Sequence, residues 1–231
     1  MAARNPLLVA IDTPDPARAR ALAAAVANVA GGIKLGLEFF TANGPAAVKE
    51  IARGAALFLD LKLHDIPNTV AGAVRAAAAL EPLLLTVHAG GGPAMMRAAA
   101  EAAGAAGARR PKLLGVTVLT SLDDADLARV GQSGPAADQA LRLALLARES
   151  GLDGVVCSPH EVARLRAACG QDFLLVVPGI RPAGTGADDQ KRVLTPRAAL
   201  DAGADYLVIG RPITAAPDPG AAARAIAAEL R

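Results

Sequence analysis

Ala56-Leu57-Phe58-Leu59-Asp60-Leu61-Lys62-Leu63-His64-Asp65-Ile66-Pro67-Asn68-Thr69 runs from an apolar segment into charge and then into a helix start. Its first half has the composition of a buried strand. Strand side chains alternate between faces, so Asp60 and Lys62 share one face and Leu59, Leu61 and Leu63 the other. Opposite charges two residues apart on an oily strand are costly unless they are paired, hydrogen-bonded or open to a cleft. A structural ion pair closing a strand end would explain Asp60 and Lys62. It would not explain a third charge, Asp65, placed just where the strand has ended. Pro67 suits the first position of a helix, and Thr69, Val70, Ala71, Ala73 and Val74 continue one. The stretch is thus a β-strand with a charged C-terminal tip that feeds directly into a helix.

The same unit recurs along the chain. Apolar runs suited to strands occur at Leu7–Asp12, Gly32–Gly36, Ala56–Lys62, Leu83–His88, Leu113–Thr120, Gly154–Ser158, Phe173–Pro178 and Tyr206–Gly210. Ala-rich helical stretches are expected between them, near 16–29, 38–53, 67–80, 92–106, 135–150, 159–169 and 196–203, with a last one near 218–230. Asp15-Pro16 and Ser158-Pro159 read as helix starts, and Gly31, Gly54, Gly151 and Gly203 as helix stops. Eight βα units in 231 residues predict a single α/β domain over residues 1–231, a closed (β/α)8 TIM barrel. An open doubly wound sheet would alternate too. However, the first strand leads into Asp12-Thr13-Pro14-Asp15, not into a glycine-rich dinucleotide loop.

Composition narrows the partners. Hydrophobic residues make up 53% of the chain, enough for a large core, while four Phe, one Tyr and no Trp leave little for stacking nucleic-acid bases. A net charge of +2 without a long basic run argues against nucleic acid and membrane surfaces. No signal-peptide pattern precedes the first strand, and no apolar run has the length of a membrane span, so a cytoplasmic protein is expected. Cys157 and Cys169 have no metal-site or disulfide spacing.

In a TIM barrel the chemistry sits at the C-terminal tips of the strands. Here those tips carry Asp12, Lys34, Asp60 with Lys62 and Asp65, His88, Thr120 with Ser121, Ser158, Pro178-Gly179-Ile180-Arg181, and Gly210-Arg211-Pro212. The last two loops each pair a glycine with an arginine. They match the place where such barrels often bind phosphate, with Arg181 and Arg211 as fork-shaped donors. The segment Pro182–Gln190 is a candidate lid. His64 and His160 are expected at the surface, and Glu38 and Glu81 in solvent. Met95 and Met96 are expected to be packing residues. His88 is equally compatible with a satisfied core position and with ligand contact.

These segments resemble the orotidine 5′-phosphate decarboxylase family over nearly the whole chain. The most specific is Asp60-Leu61-Lys62-Leu63-His64-Asp65-Ile66-Pro67-Asn68-Thr69. Supporting it are Val9-Ala10-Ile11-Asp12, Ile33-Lys34, Val87-His88-Ala89, Leu119-Thr120-Ser121, Pro178-Gly179-Ile180-Arg181-Pro182, Asp188-Asp189-Gln190-Lys191-Arg192 and Ile209-Gly210-Arg211-Pro212-Ile213. The resemblance implies conversion of orotidine 5′-phosphate to UMP and CO2, without cofactor or metal. It implies Lys62 as the cation and proton donor beside C6, flanked by Asp60 and Asp65, with Lys34 continuing the charge array. It further implies substrate contacts from Asp12, Lys34, Thr69, Ile66, His88 and Pro178, and Thr120 or Ser121 at the pyrimidine edge. Arg181, Gln190, Gly210 and Arg211 are implied at the phosphate. A homodimer is implied as well, with Asp65, Ile66 and Thr69 reaching the neighbouring subunit's site. Related sugar-phosphate lyases share the Asp-x-Lys-x-x-Asp pattern but carry an acidic Mg²⁺ ligand where this chain has Lys34. A non-catalytic nucleotide-binding barrel would keep the two arginines with no need of Lys62.

Overall fold

Among the described residues, eight parallel strands pair in chain order and the last pairs with the first, closing a barrel. The strands are β1 (Leu7–Ala10), β2 (Gly32–Gly36), β3 (Leu57–Leu63), β4 (Leu84–His88), β5 (Lys112–Val116), β6 (Gly154–Val156), β7 (Leu174–Val177) and β8 (Tyr206–Ile209). The computed structural model describes residues 5–181 and 194–230; the candidate lid and Gln190 lie outside them. The helices are α1 (Pro16–Val26), α2 (Leu37–Ile51), α3 (Pro67–Ala78), α4 (Gly92–Gly104), α5 (Asp124–Arg129), α6 (Ala136–Glu149), α7 (Val162–Cys169), α8 (Pro196–Asp201), α9 (Arg211–Thr214) and α10 (Pro219–Glu229).

Local chemistry accounts for the helix starts. The Asp15 carboxylate accepts the N–H groups of Ala17 (2.8 Å) and Arg18 (3.4 Å), with Pro16 at the first helical position. Asp218 accepts Ala221 N–H at 2.8 Å ahead of Pro219. Each such cap stabilises its helix by about 1 kcal/mol. Ser158-Pro159 opens a 3-10 turn, Pro159–Glu161, and the α-helix begins only at Val162.

Strand alternation sorts the core into two layers. Leu8, Ala10, Phe58, Leu84, Leu114, Val176, Tyr206 and Val208 fill the inside of the barrel. Their neighbours Leu7, Val9, Ile33, Leu57, Leu59, Leu85, Leu175 and Leu207 point outward to the helices. Lys34, Asp60 and Thr86 have the inward parity and stand above this apolar plug, so three polar side chains lie buried at the barrel's C-terminal end. The opposite end is tied by ion pairs. Asp153 binds Arg110 (2.8 Å) and Lys112 (3.1 Å) and accepts Leu113 N–H (2.8 Å). Arg166 reaches the carbonyls of Gly170 and Phe173 and the Asp205 carboxylate, which itself accepts Leu175 N–H at 2.7 Å.

Several boundaries differ from expectation: β1, β6, β7 and β8 end one or two residues short of the expected Asp12, Ser158, Pro178 and Gly210, and the largest difference is in β5. The fifth strand was expected to run to Thr120 and ends at Val116, because its partner β6 ends at Val156 and offers no further ladder. The chain then forms a loop and α5, whose start is a reciprocal Asp123–Asp126 capping box. Neither α5 nor the short α9 after β8 was among the expected helices; six and four residues carry too little periodicity to read.

Candidate active site

Lys62 is the irregular point of β3. Between Leu59 and Leu63 the strand advances four residues while β4 advances two, from Leu85 to Val87. Lys62 has φ 50°, in the left-handed region that costs a non-glycine residue about 1–3 kcal/mol. The simple alternation expected for this strand is therefore broken by a bulge. The bulge is held in place: Thr86 Oγ1 accepts Lys62 N–H at 2.8 Å. The expected Asp60–Lys62 contact is made, with Nζ 2.8 Å from Oδ2.

From there charges alternate across three strands. Lys34 Nζ lies 3.6 Å from Asp60 Oδ2 and 3.0 Å from Asp12 Oδ1. Asp60 Oδ1 accepts the Thr86 hydroxyl at 3.0 Å, so both oxygens of this buried carboxylate are occupied. Burial opposes ionisation of Asp60, but the Lys34 and Lys62 ammoniums, with hydrogen bonds from Lys62 and Thr86, outweigh it and hold the carboxyl below its ordinary range. Burial likewise works against the Lys34 charge. Asp60 and Asp12 overcome it, and the Lys34 pKa lies above that of an ordinary lysine. Gly36 leaves room for this array: a Cβ there would stand 3.0 Å from Lys34 Nζ.

The array forms one wall of a cavity of about 450 Å³ at the strand tips. Asp12, Lys34, Asp60 and Lys62 line its charged side. Val116, Val118, Leu119, Val156, Cys157 and Val208 line an apolar side, with Phe58 and Ala10 also in the wall. Thr120, Pro178, Arg181, Gly210 and Arg211 complete the lining. Arg181 is buried, anchored by its N–H to Leu194 O at 3.0 Å, and Arg211 opens α9. Gly179 has φ 77°, a conformation that favours glycine. A Cβ at Gly210 would make only ordinary contacts with this chain, the nearest 3.5 Å away at Ala10 Cβ.

Other expected site residues lie elsewhere in this chain. Asp65, Ile66, Thr69 and Ser121 are exposed and outside the cavity lining; the Asp65 carboxylate accepts the Ile66 N–H at 2.7 Å. His88 is half-buried and also outside the lining. Its ring stacks on His64 with centroids 5.1 Å apart, and its Nδ1 accepts Gly90 N–H at 3.2 Å. Burial, then His64 and Lys62, lower its pKa, favouring the neutral ring. His160, Glu38 and Glu81 are exposed and Met95 and Met96 buried, as expected.

Thr86 and the apolar wall were missed. Thr86 had one signal, a lone hydroxyl inside Leu83-Leu84-Leu85-Thr86-Val87. Cys157 and the valines had none, since wall and core residues look alike in sequence. Among the described residues, no group of three or more His, Cys, Asp or Glu is placed to hold a metal. None of their helices is long and apolar enough to cross a membrane.

Known proteins place this geometry in a family. The chain is 59% identical to an orotidine 5′-phosphate decarboxylase of Rhodospirillum rubrum, covering 98% of this chain and 94% of that one. It is 58% identical to its namesake in Thermobifida fusca, covering 98% and 96%. The crystal structure of the Lactobacillus acidophilus orotidine 5′-phosphate decarboxylase superposes with a TM-score of 0.84 at 41% identity, over 98% of this chain and 99% of that one. A family profile described as "Orotidine 5'-phosphate decarboxylase / HUMPS family" matches residues 5–226, and the chain belongs to that family.

Proposed function

We propose that the protein decarboxylates orotidine 5′-phosphate to UMP and CO2, the last step of UMP synthesis, with no metal or cofactor. The observation that carries this is the continuous Asp12–Lys34–Asp60–Lys62 array facing an apolar cavity that also presents two arginines. Loss of CO2 from C6 leaves a carbanion that no carbonyl is placed to absorb as an ordinary enolate. A fixed ammonium beside C6 stabilises that charge and then supplies the proton. Lys62, which lines the cavity 2.8 Å from the Asp60 carboxylate, is the residue proposed for both tasks. Its partner Asp60 is already ionised and hydrogen-bonded, so the charge pattern exists before substrate arrives.

Asp12 and Lys34 are suited to the ribose hydroxyls, and Thr120, which lines the cavity where Ser121 does not, to the pyrimidine edge beside the apolar wall. Arg181 and Arg211, with the Gly210 backbone and Gln190, are suited to the phosphate. Phosphate binding remote from the reacting carbon supplies energy that lowers the chemical barrier once the site closes. A metal-dependent sugar-phosphate lyase is the alternative, and Lys34 speaks against it: an ammonium stands between Asp12, just past β1, and Asp60 of β3, where a cation would be needed.

The exposed run from His64 to Thr69, with Ile66 67% exposed, supports a two-fold dimer in which Asp65, Ile66 and Thr69 enter the partner's site. Nucleotide synthesis makes the cytoplasm the proposed location. The test is ultraviolet absorbance loss as purified protein consumes orotidine 5′-phosphate under exhaustive chelation. Full-rate conversion to UMP is expected. No consumption by folded protein would refute the activity, and a rate that collapses with chelator and returns with Mg²⁺ would favour the alternative.

A further inference from the structure

Thr86 is fully buried in β4, yet its hydroxyl has two partners that both belong to the charged wall. A hydroxyl offers one proton and two lone pairs. Lys62 N–H can only donate, so it takes a lone pair at 2.8 Å, and the Thr86 proton goes to Asp60 Oδ1 at 3.0 Å. Oδ2 of the same carboxylate binds Lys62 Nζ at 2.8 Å. The backbone and the ammonium of Lys62 are therefore both referenced to one oxygen atom, directly through the N–H and indirectly through Asp60.

This matters because Lys62 sits in a left-handed conformation at a bulge, a geometry that relaxes unless the surroundings hold it. The β4 ladder does not hold it, since pairing is interrupted between Leu59 and Leu63. Thr86 supplies the missing cross-strand bond from a side chain. As a β-branched residue it has a stiff χ1, so the hydroxyl is held in one direction.

We infer that Thr86 is a positioning residue of the decarboxylation: its hydroxyl fixes Lys62 and Asp60 in the geometry that reacts. The inference rests on the proposed activity. Thr86→Val keeps shape and removes the hydroxyl, leaving a buried N–H and a carboxylate oxygen each short of a partner. Thr86→Ser keeps both hydrogen bonds and loses only the methyl group.

The experiment measures kcat, KM and UMP affinity for wild type, Thr86→Val and Thr86→Ser, with melting curves for each. The expected result is a kcat about 10- to 100-fold lower in Thr86→Val, UMP affinity within about threefold of wild type, and Thr86→Ser within about threefold of wild type in kcat. If Thr86→Val does not fold, Thr86→Ala takes its place against Thr86→Ser under the same criteria. A folded Thr86→Val with wild-type kcat would overturn the inference. So would a Thr86→Ser that loses as much as Thr86→Val, because the methyl and not the hydroxyl would then be responsible. Wild-type protein inactive on orotidine 5′-phosphate would refute the activity instead, so the two failures are distinct.

Discussion

Replacing Asp60 by Asn should destabilise the protein most at neutral pH and little at the extremes. The substitution keeps shape and removes one negative charge from between two ammoniums, at 2.8 Å and 3.6 Å. At an effective dielectric constant of about 20, these contacts correspond to about 6 and about 5 kcal/mol of gross attraction. Desolvation of the charges cancels much of that. Removing one partner of a buried pair costs a net 3–5 kcal/mol or so, and the partial exposure of Lys62 argues for the lower end, about 3 kcal/mol. For a chain of this length that is a fall of about 6–12 °C in Tm.

The pH dependence follows from the shifts. The lowered pKa of Asp60 means that its stabilisation is present above the ordinary carboxyl value of 3.8 and is lost as pH falls through the folded-state value. The raised pKa of Lys34 means that its contribution is complete below 10.5 and is lost as pH rises through its folded-state value. In the Asn variant burial acts on Lys34 with only Asp12 opposing it, so Lys34 sheds its proton earlier and the variant recovers stability toward alkaline pH. Guanidinium unfolding of both proteins across about pH 2–10 should show a stability gap that is held from about pH 5 to pH 7, narrows as pH falls below the ordinary carboxyl value of 3.8, and narrows again toward alkaline pH. A gap below about 0.5 kcal/mol, or one independent of pH, would refute the claim that Asp60 is an ionised bridge between the two lysines.

Arg211→Ala should lower kcat/KM by about 10- to 100-fold through loss of a charge-assisted phosphate contact, read against a substrate lacking phosphate, which should show little effect. An equal loss on both substrates would remove Arg211 from phosphate binding. Mixing inactive Lys62→Ala chains with inactive Asp65→Ala chains and allowing exchange should restore roughly a quarter of wild-type activity, since each mixed dimer rebuilds one intact site. Demonstrated exchange without recovery would assign Asp65 to its own chain.

The barrel was legible because its signal is repeated. Short Leu- and Val-rich runs such as Leu7–Asp12 and Tyr206–Gly210 recur at βα spacing, and closure follows from their number. The charged wall was legible for a different reason: Lys34, Asp60 and Lys62 are ionic residues on otherwise oily strands, which sequence alone marks as costly. What the sequence hid is conformational. Nothing in Leu59-Asp60-Leu61-Lys62-Leu63 marks the bulge, because its cause lies on β4, in Thr86 and in the interrupted ladder. The early end of β5 was likewise set by its partner strand β6. The apolar wall of Val116, Val156 and Cys157 reads as ordinary core until the barrel places it around a cavity.

Whether Lys62 is the stabilising cation and the proton donor is decided by Lys62→Ala measured beside wild type. The expected result is a folded variant that still binds UMP and whose turnover of orotidine 5′-phosphate falls about a thousandfold or more. A folded Lys62→Ala protein that converts orotidine 5′-phosphate to UMP at a near-normal rate would contradict it.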